Sequence, residues 1–142
     1  AMCRVLGASM NEIASWANKS MGSNGELLAD DIRVRERLGA AMVDYEAGIS
    51  TPGPMGRVKA SDVLVKNAAI LQDLVGTVGL LPMNTDGSIG IGDIEYAHRF
   101  AQGTATYGGT VEVFRTIIAQ HVLGLPKAQL PGAKVFLAGK KK

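Results

Sequence analysis

The sequence predicts an all-α fold, an antiparallel bundle of four main helices. Apolar residues recur at three- and four-residue spacing through most of the chain. The segments between these runs are short and punctuated by Gly, Pro, Asn and Ser. No stretch alternates in the period-two manner of a half-buried strand. With 142 residues and 46% hydrophobic content the chain is long enough for one domain with its own core, and 5% aromatic content makes that core aliphatic.

The first helix runs from Met2 to Ala17, with Met2, Val5, Leu6, Met10, Ile13, Ala14 and Trp16 at helical spacing. It has no N-cap signal, as if the chain began inside a longer helix. Met21 to Gly25 is a turn. Asp30 or Asp31 caps a second helix reaching about Ala47, with Val34, Leu38, Ala41, Met42 and Tyr45 on one face. Its Arg33, Arg35 and Arg37 belong on solvated faces or beside acids. Pro52 and Pro54 mark residues 48–57 as a loop. A third helix is expected from about Val58 to Leu81, apolar nearly all round, with Asp62, Lys66 and Asp73 as a thin polar stripe. Such a helix belongs at the centre of a bundle or in an oligomer, and a dimer or tetramer is expected through it. After a Gly-rich connection, a short helix from roughly Asp93 to Gln102 leads to a last helix ending at Gly124. Residues 1–127 form the bundle. Residues 128–142 are read as an extended basic tail, with Val135, Phe136 and Leu137 able to pack on a neighbour.

Composition excludes several functions. A formal charge of +2 without a basic, aromatic-interleaved stripe argues against nucleic acid. No apolar run approaches the roughly 20 residues of a membrane span, and no signal peptide is recognisable. The single cysteine, Cys3, forbids an internal disulfide. A cytoplasmic setting is expected. His98 and His121 have no ligand-spaced partners, so no metal site is expected. Nucleophile-elbow and P-loop spacings are missing. Gly87 to Gly92 reads as a flexible loop, not a phosphate cradle, because it opens no βαβ unit. Asp93, Glu95 and His98 read as a solvated face.

Residues 107–125 are the most informative. The turn Tyr107-Gly108-Gly109 leads into a hydroxyl N-cap, Thr110, and an amphipathic helix. A flexible turn before a helix N-terminus gathers free N–H groups that suit an anion or a carbonyl oxygen. By physics alone the chain reaches only a helical domain.

This segment resembles the signature of the acyl-CoA dehydrogenases, in which Tyr-Glu-Gly-Thr opens the last helix beside the flavin. The resemblance extends to Gly25–Arg35, to Tyr45-Glu46-Ala47, to Val65–Ala69 and to His121–Pro126, the last like the ending of many actinobacterial members. It covers about Met2 to Lys127, nearly the whole chain, and corresponds to that family's C-terminal helical domain. It implies FAD as cofactor, an acyl-CoA substrate, and oxidation that takes the α-hydrogen as a proton and the β-hydrogen as a hydride. It further implies Tyr107, Thr110, Glu112 and Arg115 beside the flavin, and the Gly108 N–H as donor to the substrate carbonyl.

The chain departs from the family at several points. Gly108 occupies the family's glutamate position and cannot act as a base, so no catalytic residue is visible. Some branches carry that glutamate on the domain's first helix, at a position that aligns before Ala1. The family's Arg-x-x-Phe-Gly motif aligns with Met21 to Gly25 and keeps only Gly25. Its Gln-x-x-Gly-Gly motif aligns with Gly76 to Leu80 and keeps Gly79. Three readings follow. The chain is the C-terminal domain of an acyl-CoA dehydrogenase that needs the rest of the enzyme to act, a degenerate partner of a paralogous subunit, or a helical interaction module.

Overall fold

The computed structural model describes residues 1–127. The expected basic tail, residues 128–142 with Val135, Phe136 and Leu137, lies outside the described residues. Helix α1 spans Met2–Ala17. A 3-10 turn at Leu28–Asp30 precedes α2, Ile32–Ser50. Helix α3, Gly53–Val75, runs on into a 3-10 segment at Gly76–Leu80. Helix α4 is Asp93–Thr104, and α5, Val111–Ile117, continues into a π-helical turn at Ile118–Val122. Among the described residues the only β-type pairing is an isolated bridge between Met21 and Leu27. The all-α bundle expected from periodicity is the fold observed.

Helix α3 is the axis, packing against α1, α2, α4 and α5. Leu64 and Leu71 on it are fully buried, facing Leu6 and Ile13 from α1 and Ala97 and Ala101 from α4 in one aliphatic core. This central placement accounts for the apolar excess of α3. Four neighbouring helices cover it, and its exposed large apolar residue is Met55 near the N-terminus. Within the span expected for this helix, Val78 and Leu80 in the 3-10 segment are the large apolar residues left exposed. The polar stripe meets partners instead: Lys66 pairs with Asp44 at 2.7 Å, Asp73 with Arg37 at 2.7 Å and Asp62 with Arg115 at 3.5 Å.

Three expectations need correction. The loop expected at 48–57 shrinks to Thr51 and Pro52, because Pro54 sits in the first turn of α3, where no intrahelical acceptor awaits its missing N–H. At its C-terminal end α3 stops at Val75, since Gly76 adopts φ 65° and breaks the α-helical ladder. The chain also does contain a segment long and apolar enough to cross a membrane. Gly53–Leu80 is 28 residues with mean hydropathy 1.3 over its best window. In this fold it is the core helix of the bundle. Ile89, in the Gly-rich connection, is buried in the core as well, so that segment is anchored at its middle.

Candidate functional site

The turn from Ala105 to Thr110 joins α4 to α5 and is shaped by hydrogen bonds at both ends. The N–H groups of Thr106 and Tyr107 donate to the Gly103 carbonyl at 3.0 and 3.1 Å, and Val111 N–H donates to the Ala105 carbonyl at 3.1 Å. Gly108 and Gly109 carry φ of 70° and 95°, a conformation side-chain-bearing residues rarely adopt. A Cβ at Gly108 would meet nothing within 4 Å, so the tip of the turn is open. Among the described residues no acceptor is recorded for the Gly108 N–H. The expected donor is thus available at an exposed tip.

Thr110 is the N-cap of α5 and its hydroxyl accepts from Val113 N–H at 3.2 Å. Tyr107 lies back over α4, its ring tilted against Phe100 at 5.8 Å between centroids, and it is about half exposed at 46%. Partial burial pushes its phenol above the usual tyrosine range, with Tyr96 adding to the shift and Arg57 opposing it. Glu112 and Arg115 sit on the opposite flank of the turn. Together with Ser61, Asp62, Val65 and Lys66 they line a groove of about 300 Å³ between α3 and α5. Arg115 reaches Asp62 at 3.5 Å and Glu112 at 3.8 Å. The structure thus brings Glu112 and Arg115 together, sets Gly108 and Thr110 at the turn between, and leaves Tyr107 on the α4 side. These residues make one wall rather than an enclosed pocket.

The residue that holds this wall was not among those singled out in the sequence. Arg57, in the first part of α3, donates through Nη2 to the carbonyls of Thr104 at 2.7 Å and Tyr107 at 3.0 Å. Those carbonyls lie at and just beyond the C-terminal end of α4, where the helix dipole is negative and a cation is favoured. The same guanidinium lies over the Phe114 ring, 5.3 Å from its centroid. Phe114 in turn packs where a Cβ of Gly109 would stand, 3.1 Å away. Below them the buried hydroxyls of Ser61 and Thr104 are 3.0 Å apart, and Thr104 donates to the Ala101 carbonyl at 2.7 Å. One arginine and one hydroxyl pair therefore fix the turn to α3.

Other groupings weighed in the sequence do not assemble. Glu95 is engaged by Arg99 at 2.9 and 3.2 Å, and that contact holds its carboxyl below the usual range. His98 buries an unpartnered Nδ1 on the same helix. Among the described residues no three of His, Cys, Asp and Glu cluster as a metal site would require. The Met21–Gly25 turn, aligned with the degraded arginine motif, adjoins a cleft of about 280 Å³ lined by Trp16, Leu28, Arg33 and Arg37. Both arginines there are committed, Arg33 to Asp31 and Arg37 to Asp73.

No family model matches the sequence. A curated protein does: the acyl-CoA dehydrogenase FadE26 of Mycobacterium tuberculosis is 26% identical over 138 residues, covering 84% of this chain. The chain spans about a third of that relative's length, 34%. Among solved structures, the ChsE4-ChsE5 complex from Mycobacterium tuberculosis superposes with a TM-score of 0.79 at 25% identity, over 89% of this chain and 36% of the matched one. The steroid acyl-CoA dehydrogenase Tcur3481-Tcur3483 shares the fold, with a TM-score of 0.70 at 18% identity over 87% of this chain and 35% of the matched one. The signature turn, the bundle around α3 and these likenesses agree, and the chain is similar to the C-terminal helical part of the acyl-CoA dehydrogenases.

Proposed function

We propose that this chain is the C-terminal helical part of an acyl-CoA dehydrogenase-type flavoprotein, acting on an acyl-CoA thioester only with the domains or subunit that complete the site. The observation that carries this is the open turn at Gly108: an exposed N–H without an acceptor among the described residues, at the position where the family binds the substrate carbonyl. An N–H aimed at that oxygen stabilises the negative charge that develops as the α-proton leaves. The donor survives loss of the glutamate side chain because it belongs to the backbone. FAD, when bound, would accept the β-hydrogen as a hydride. In this reading Tyr107 and Thr110 border the flavin, while Glu112 and Arg115 form the polar edge of the wall. The residues fit such a group as one side of its site, because the turn is exposed and held in shape by Arg57.

The proton must be taken by a residue outside the turn, since Gly108 has no side chain. A second reading therefore stands beside the first, favoured by that glycine and by similarity to a chain of the ChsE4-ChsE5 complex. In it the chain supports FAD in a paralogous active subunit and contributes no base. Either way the work belongs in the reducing cytoplasm, in keeping with a lone half-buried Cys3. Purified alone, the 142-residue chain should be colourless. Co-purified with the missing domains it should carry flavin and reduce ferricenium with an acyl-CoA. Colour that appears only with a paralogous subunit selects the second reading, and absence of flavin in every combination rejects both.

A further inference from the structure

The Tyr107 carbonyl and the Gly108 N–H belong to one peptide group, and Arg57 grips that group by its oxygen. Arg57 Nη2 donates to the Tyr107 carbonyl at 3.0 Å, and no other donor reaches that oxygen among the described residues. The peptide is planar and trans, so its N–H points opposite to its oxygen, away from Arg57. The tip of the turn is open, since a Cβ on Gly108 would meet nothing within 4 Å. Capping α4 does not account for the contact. The bond from the same Nη2 to the Thr104 carbonyl at 2.7 Å already serves the helix end, three residues before Tyr107.

We propose that Arg57 is the positioning residue of the Gly108 donor. By holding the carbonyl of the Tyr107–Gly108 peptide, it aims and strengthens the N–H of the same group toward a substrate carbonyl. Aiming matters because Gly108, at φ 70°, has no Cβ to resist rotation of the peptide plane. A rotation that turned the oxygen outward would turn the N–H inward and remove the donor. Arg57 opposes it, because the rotation would break a charge-assisted hydrogen bond. Strengthening follows from the charge. Arg57 forms no ion pair among the described residues. Its charge falls instead on the two carbonyls, on the Met2 sulfur at 3.6 Å and on the Phe114 ring. A cation that draws electron density toward an amide oxygen leaves the amide hydrogen more positive. Phe114 also packs where a Cβ of Gly109 would stand, 3.1 Å away, so the next residue is confined too. The carbonyl role rests on the dehydrogenase reading, whereas the grip on the peptide belongs to this chain alone and is measurable without substrate.

Nuclear magnetic resonance of the 142-residue chain tests the grip. The Gly108 N–H should show an order parameter of about 0.85, as rigid backbone does, and Arg57→Met should lower it below about 0.6. The same change should move the Tyr107 carbonyl carbon and the Gly108 nitrogen upfield, as electron density returns to the amide. Arg57→Lys should recover part of both effects by restoring a charged donor. Leu71→Val, a core truncation about four helical turns from Arg57, should leave Gly108 unchanged and so separate the grip from general loss of stability. Unchanged order and shifts at Gly108 in Arg57→Met would overturn the inference. Turnover of an acyl-CoA by the chain with FAD and its completing domains or subunit tests the role. Arg57→Met should lower kcat about tenfold with KM within about twofold, the pattern of an interaction made chiefly in the transition state. The carbonyl stretch of the bound acyl-CoA, which a hydrogen bond lowers, should rise toward its free value in that variant. Should the wild type turn over while neither kcat nor the stretch responds to Arg57→Met, Arg57 is a clamp only and the inference fails. A wild-type protein without flavin or turnover in every combination removes the dehydrogenase reading, and the carbonyl role with it, whatever the resonances show.

Discussion

Arg57 shows how a residue can hold a turn while leaving no trace in sequence pattern. Its partners are two main-chain carbonyls, Thr104 and Tyr107, at separations of 47 and 50 residues. Periodicity reports which side chains face a core, and it says nothing about a carbonyl in a distant turn. Tyr107, Gly108 and Thr110 were legible because a glycine turn before a hydroxyl cap is a local signal. Arg57→Met should cost about 2 kcal/mol, since it strips charged donors from two carbonyls and a cation from the Phe114 face. Urea unfolding should show a lower midpoint at unchanged slope. Arg57→Lys should recover only part, because an ammonium lacks the planar fork that reaches both carbonyls. Asp44 offers a second test. Lys66 and Asn67 donate to its carboxylate at 2.7 and 3.0 Å and hold it below the usual carboxylate range. A depressed folded value means that its contribution is present above the unfolded value of about 3.9 and is lost as pH falls through the lower, folded one. Asp44→Asn should therefore flatten the acid limb of the stability profile, while the wild-type chain loses stability there.

Among the elements, the least secure is α5, and its start and its end have different causes. Thr110 N-caps it, as the sequence suggests, and Gly124, with φ 67°, follows its end. Between them only seven residues are α-helical before the backbone widens into the π-turn at Ile118–Val122, which no residue type announces. The boundary between α2 and α3 was misread for a related reason. Proline signals a break only when its position relative to the helix start is known, and Pro54 belongs inside the first turn. The core face of α1 was legible because its burial follows one continuous stripe. On α2, Val34, Leu38, Ala41 and Tyr45 turn inward as expected, but Met42, expected with them, is 56% exposed. Thr110→Ala should cost about 1 kcal/mol. In a helix this short, packed on α3 alone among the long helices, the loss should appear locally. Amide exchange at Val113 to Ile117 should accelerate while the midpoint of global unfolding moves less. Equal acceleration in α3 would show instead that α5 unfolds only with the whole bundle.

For the whole molecule, stability should be graded outward from α3, because every other α-helix packs on it. Leu64 and Leu71 are fully buried there, and the Asp44–Lys66–Asn67 group ties its polar edge to α2. Truncating Leu71 to Ala removes atoms from a site closed on every side, so the lost transfer free energy is joined by a cavity term, about 2–5 kcal/mol together. Val113→Ala on α5, at a position 50% exposed, should stay within about 0.5 kcal/mol. Hydrogen exchange should follow the same gradient, with α3 amides opening only through global unfolding and those of α5 and the 82–92 connection opening through small local fluctuations. Ile89 should stand out within that connection, since it is buried in the core while Gly90 and Ile91 after it are exposed. In the proposed function, further domains close over the Gly108 turn and α5 at this edge of the bundle. Addition of those domains should then protect α5 and the Gly108 turn while leaving α3 unchanged. Protection confined to α3 would mean that the turn faces solvent in the assembled protein and takes no part in binding.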